Sequence, residues 1–143
     1  MNALPLLAGM AVTAACMPAA VAQAQALDRA AEGIDCNAPD GTMALDLCAA
    51  DRADEAEALL NTTYRQARSQ LQQQAANGSC THCADAEKQL IHAQRAWIQL
   101  RDNDCAAVYA FNADGTSRNS ARSHCQTTHA QDRTRQLRAF YEL

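Results

Sequence analysis

Four residues of this 143-residue chain, Cys80-Thr81-His82-Cys83, carry the sharpest chemical signal. A C-x-x-C at the start of a helix lowers the pKa of its first thiol, and a His between the two adds to that effect. Thiol–disulfide exchange is the chemistry such a pair supports, but it belongs to a helix that follows a strand in a βαβ unit. No such pattern surrounds Cys80 and Cys83, so a local disulfide pinning a helix–helix loop is the favoured reading. A zinc site built from the same residues and His92 lacks a second ligand pair. His124 and His129 stand five apart, which does not place them on one helical face. Asp102 and Asp104, two apart, point in different directions, and no Ser/His/Asp spacing is recognisable. The sequence therefore assigns no catalytic residue, no metal and no cofactor.

A second polar set lies in the stretch from Gln94 to Cys105. On a helix, residues three and four apart share a face, so Gln94, Trp97, Arg101 and Cys105 form one stripe. An amide, an indole, a guanidinium and a thiol on one stripe point to specific interhelical contacts and a disulfide.

The elements that would position these residues are helical. Gln25 to Gly41 reads as an irregular lead-in with a turn at Pro39-Asp40-Gly41, and Thr42 to Ala50 as a short helical segment. Asp51 to Ala76 is a long helix capped by Asp51, with Ala53, Ala56, Leu60, Tyr64, Ala67 and Leu71 as its apolar stripe. Asn77-Gly78 ends it. Ala84 to Phe111 is a second helix with Leu90, Ala93, Trp97, Leu100, Val108 and Phe111 on its core side. A third runs from about Asn119 to Tyr141, with Leu137, Phe140 and Tyr141 apolar. The fold class is all-α: a small antiparallel bundle or hairpin of two long helices plus a C-terminal helix, stapled by disulfides. Residues 1–24 form a signal peptide, 25–50 the lead-in with its short helix, and 51–143 the helical domain.

The first 26 residues hold no charged side chain, an apolar run and small-residue cleavage patterns, which reads as export with cleavage. The run is too short and too interrupted by Pro5 and Pro18 for a membrane span. Cys16 follows Val12-Thr13-Ala14-Ala15, a partial lipoprotein box with Thr13 where Leu is expected; a lipid anchor there is the lesser alternative. The other six cysteines form an even set, as a disulfide framework requires. Fifteen pairings exist; the most economical joins Cys36 to Cys48, Cys80 to Cys83 and Cys105 to Cys125. The two larger loops would each contribute roughly 3 kcal/mol, useful where aromatics are only 4% of the chain.

Net charge is −4, unevenly spread. Residues 28–57 carry nine acids against two Arg, and residues 115–143 five Arg against two acids. The acidic region favours basic partners and disfavours nucleic acid or an anionic membrane; it serves equally as a solvated surface.

Leu60-Asn61 with Tyr64, Leu90, the run Gln94-Arg95-x-Trp97-Ile98-x-x-Arg101-Asp102-x-x-Cys105, then Cys125 and Arg133-Thr134-x-x-Leu137, resemble the LprI-type lysozyme inhibitor N-terminal domain. Cys36 and Cys48 match that family's N-terminal cysteine pair, while Cys80 and Cys83 are an addition of this sequence. The resemblance covers about Cys36 to Leu137. It implies an exported, disulfide-bonded, all-helical envelope domain of periplasm or cell surface, with lysozyme inhibition attributed to the family's namesake. Asn61, Tyr64, Gln94, Trp97, Arg101 and Arg133 are then expected as an interhelical hydrogen-bond network around an Arg. The expected partner is lysozyme or another envelope protein, with Arg118 in the 112–119 turn as a candidate to meet lysozyme's carboxylates. The alternatives are an envelope interaction module without that activity and, more distantly, a thiol–disulfide protein using Cys80 and Cys83.

Overall fold

Past Gly41, the first long segment has no glycine or proline until Gly78, and helix formers dominate it. In the computed structural model, which describes residues 33–143, it is one unbroken helix, α1 (Gly41–Ala76). The expected break at Asp51 is absent: Asp51 lies inside the helix, and Asp40 occupies the N-cap position. The long run of formers outweighs the single local capping signal. The helical segment expected over 42–50 is therefore the first part of α1 rather than a separate piece. The expected signal segment and Cys16 lie outside the described residues.

Two further helices follow, α2 (Cys83–Phe111) and α3 (Arg118–Tyr141), and the described residues contain no strand. Gly78 joins α1 to α2 with a φ of +74°, which a side chain would resist. There the Asn77 carboxamide accepts from the Ser79 amide. The helices form an up-down-up bundle. Arg68 on α1 meets Glu87 on α2, and Glu57 meets Arg101, so these two run antiparallel. Asp46 meets Ser120, and the Gln70 amide donates to the Tyr141 carbonyl, so α3 runs parallel to α1.

The core follows the α1 stripe. Ala53, Ala56, Leu60, Ala67 and Leu71 are buried as the spacing predicts, and Tyr64 is half-buried beside them. Leu90 and Leu137 complete the core from the other helices. Burying a leucine contributes about 1.5–3 kcal/mol. Thr63 and Thr134 are also buried, and each hydroxyl donates to a carbonyl one turn back, so neither polar group is orphaned. On α2 the apolar expectation fails in part: Leu100 is 55% and Phe111 91% exposed, and Ala93 is also exposed. Leu90, Gln94, Trp97, Arg101, Cys105 and Val108, spaced by three and four, face inward instead. Leu100 and Phe111 fall off that stripe. Phe140 on α3 likewise turns outward while Leu137 is fully buried.

Candidate functional site

Three disulfides hold the bundle: Cys36–Cys48, Cys80–Cys83 and Cys105–Cys125, with Cα separations of 5.4, 5.5 and 5.5 Å. The first ties the lead-in to α1, and Arg52 adds a bond to the Cys36 carbonyl at 2.9 Å. The second closes the entry to α2, with the Cys83 side buried and His82 exposed at the N-cap. The third joins α2 to α3. Cys105, Cys125 and His129 lie close enough to suggest a metal cluster, but both sulfurs are spent in the disulfide and His129 faces Asp104 at 3.2 Å. His92 and His124 are exposed and apart from these groups.

Of the six residues expected to form one network, Gln94 and Arg133 fall in one group and Trp97 and Arg101 in another, while Tyr64 and Asn61 make no hydrogen bond to either. Arg133, buried on α3, donates from Nε to Gln94 Oε1 at 3.1 Å and from Nη1 to Gln136 at 3.2 Å. Burial pushes its pKa down, and the nearby phenols of Tyr141 and Tyr64 partly oppose this. The second group centres on Arg101, whose side chain is 15% exposed. Its Nη1 donates to Glu57 at 2.7 Å, and Nε and Nη2 donate to Asp102 at 3.0 and 2.8 Å. Its guanidinium lies 5.2 Å from the Trp97 ring centroid. Burial works against its charge, but Asp102 and Glu57 outweigh that and raise its pKa. Tyr64 sits on α1 with Arg68 over its ring at 5.9 Å. Asn61 is exposed and joins neither group. One residue on from the buried Leu60, about 100° around the helix, it falls on the exposed side of α1. Asp102 and Asp104 diverge as their spacing predicts, one to Arg101 and the other to His129. Arg135 pairs with Asp132 on its own helix.

A different constellation forms where α2 turns into α3. The guanidinium carbons of Arg118 and Arg122 lie 5.6 and 5.9 Å from the centroid of one ring, that of Tyr109. Among the described residues neither arginine makes an ion pair. The turn between them is closed by its own bonds: Gly115 N–H to the Asn112 carbonyl at 3.0 Å, the Asn112 carboxamide to the Val108 carbonyl at 2.8 Å, and the Ser120 hydroxyl to the Ser117 carbonyl at 3.0 Å. Asp46 reaches across from α1 and accepts from the Ser120 amide at 2.9 Å and the Asn119 carboxamide at 2.8 Å. That carboxylate satisfies an amide of the first turn of α3, as a cap does, from 74 residues away. The Cys105–Cys125 disulfide clamps the same two helices just below.

Sequence reasoning singled out Arg118 but missed Arg122, Tyr109 and Asp46. A signal was available. With Cys105 opposite Cys125 on antiparallel helices, the residue four beyond Cys105 must face residues 121–122.

The described residues thus form an up-down-up helical domain whose polar side chains brace the helices and whose six cysteines are paired in disulfides. The family of that domain follows from comparison. A sequence model of the family described as "Lysozyme inhibitor LprI" matches residues 35–137, and the chain belongs to that family. No curated protein and no solved structure gives a significant match. No helix among the described residues is long and apolar enough to cross a membrane.

Proposed function

We propose that this protein is an exported binding protein of the bacterial envelope that inhibits lysozyme by occluding its cleft, and that it is not itself an enzyme. The observation that carries this reading is the family match over residues 35–137. Two features support it. The charge-free, small-residue N-terminus suits export. The acidic residues 28–57 would draw a basic enzyme into encounter. Cleavage of the first 24 residues would leave a domain held by three disulfides, as suits an oxidising compartment.

The test is lysis of cell walls by lysozymes of the c, g and i types, with purified mature protein at micromolar excess. Inhibition of at least one type is expected. Unchanged rates for all three would sink the reading and favour an envelope interaction module on the same scaffold.

A further inference from the structure

Arg118 and Arg122 are one turn apart on α3, and like charges at that spacing repel. Both nevertheless converge on Tyr109, whose ring face attracts a cation within about 6 Å. The Asp46 carboxylate caps this turn through Asn119 and Ser120 but pairs with neither arginine. Repulsion between guanidiniums that make no ion pair is relieved by an anion placed between or beyond them. The bundle's more buried cations are already answered, Arg101 by Glu57 and Asp102 and Arg133 by Gln94, whereas Arg118 and Arg122 are exposed. The Tyr109 pair is thus left without an ion-pair partner among the described residues.

The pair is also held ready. The Asp46 cap, the hydrogen bonds of the 112–117 turn and the Cys105–Cys125 disulfide fix the tip before any partner arrives. Preorganisation of this kind reduces the ordering cost of binding. Beside it the last residue of α2, Phe111, projects 91% exposed, two residues from Tyr109 and therefore on the other side of the helix end. The tip presents a cationic side and an aromatic side.

We infer that this tip, through Arg118 and Arg122 clamped on Tyr109, enters the lysozyme cleft and binds its two catalytic carboxyl groups, which makes lysozymes of the retaining type the target. The inference rests on the lysozyme reading above. The two guanidiniums lie 5.6 and 5.9 Å from one ring centroid, so they are held as a close pair that suits closely spaced carboxyls. Retaining glycosidases hold their two carboxyls about 5–5.5 Å apart, whereas inverting ones separate them by about 6.5–9.5 Å. Guanidiniums bind carboxylates through two parallel N–H bonds, and a water-excluded cleft strengthens them.

The experiment compares inhibition constants for the mature wild type, Arg118→Ala, Arg122→Ala, the double Ala variant and the double Lys variant, on one retaining and one inverting lysozyme. Each single Ala variant should lose about thirtyfold in inhibition of the retaining enzyme, the usual loss when one partner of a buried charge pair is truncated. The double Ala variant should lose several hundredfold. The double Lys variant should recover part, since charge returns without the planar fork. Thermal midpoints should stay within about 4 °C of wild type, because both side chains are at the surface. Binding to the retaining enzyme should be competed by an N-acetylglucosamine trisaccharide that fills the cleft.

A wild type that inhibits while the double Ala variant inhibits equally well overturns the tip assignment alone. So does undiminished binding to trisaccharide-filled enzyme, or inhibition of the inverting enzyme as strong as that of the retaining one. A wild type inert on every lysozyme defeats the functional reading itself.

Discussion

Arg101 with Trp97, and Arg118 and Arg122 with Tyr109, use the same contact for opposite ends. In the middle of the bundle the guanidinium lies 5.2 Å from an indole; at the tip two lie 5.6 and 5.9 Å from a phenol. The difference is in the remaining valence. Arg101 donates from all three of its nitrogens to Glu57 of α1 and Asp102 of its own helix, so its charge is already answered within the bundle. The tip arginines are exposed and make no ion pair among the described residues. A cation–π contact therefore says little by itself about whether an arginine builds the fold or reads a partner. The carboxylates around it decide.

The widest separation between the two regions should appear on truncating Trp97. It packs against the core at half burial, and Trp→Ala in cores costs about 3–5 kcal/mol. Trp97→Ala should therefore lose about 3 kcal/mol in urea unfolding, while the fraction still folded inhibits lysozyme with an unchanged constant. A folded Trp97→Ala protein that has lost inhibition would move the binding surface to the middle and erase the contrast. Replacing Cys105 and Cys125 together by Ser comes next. A loop of this length is worth roughly 3 kcal/mol by chain entropy. Here stability and inhibition should fall together, because the same disulfide braces the bundle and the tip; loss of stability with inhibition intact would show that the tip needs no clamp.

Gln94→Ala should follow at about 1–3 kcal/mol, the cost of leaving buried Arg133 Nε without its acceptor. Gln94→Glu distinguishes the architectural role: a carboxylate there should hold Arg133 at least as well, and a large loss from it would mean that the site tolerates no second charge.

How far these regions were legible in the sequence follows the range of the interactions that make them. The α1 stripe and the Gln94–Cys105 stripe are periodic within one helix, and both face inward as their spacing predicts. The family's polar positions were visible too, but not that Arg133 and Arg101 head separate groups, since that depends on how three helices are rotated against one another. Leu100 and Phe111 read as core residues because apolar side chains default to a core, but the mixed stripe of α2 takes the inward face. The continuity of α1 through Asp51 is not legible, because a lone aspartate resembles a cap wherever helix formers follow it. Asp46 could not be read as a cap at all, because its helix begins more than seventy residues later.

Asp46→Ala addresses the tip with little effect on the middle. Losing a cap costs about 1 kcal/mol, and the loss should concentrate at the first turn of α3. Hydrogen exchange should quicken at Ser120 while the amides around Leu60 stay protected, and inhibition should weaken by a few-fold through a looser tip. Uniform loss of protection would mean that the contact braces the whole bundle rather than its end.

The smallest expected effect lies at the opposite end of the molecule, at Arg68 and Glu87. Arg68 donates to Glu87 Oε1 from both Nε and Nη2, at 3.0 and 2.6 Å, and Gln72 adds a third bond at 2.7 Å. The Arg68 bond, and then that from Gln72, hold the Glu87 carboxyl below its ordinary value of 4.5 against the opposing effect of desolvation. A carboxyl whose pKa is lower folded than unfolded stabilises the fold fully above the unfolded value, and this contribution disappears as pH falls through the folded one. Wild-type stability should therefore decline as pH drops below about 4.5. In Glu87→Gln that decline should be shallower, though not abolished, because the Asp85 carboxyl is also held low by its bond to Lys88. The inhibition constant of Glu87→Gln at neutral pH should equal that of wild type, since this pair sits at the α1–α2 end, a bundle length from Tyr109. Parallel acid limbs in the two proteins would mean that the bond to Arg68 carries no net stability, as holds for many exposed ion pairs. A weakened inhibition constant would instead place part of the binding surface at the end opposite the tip.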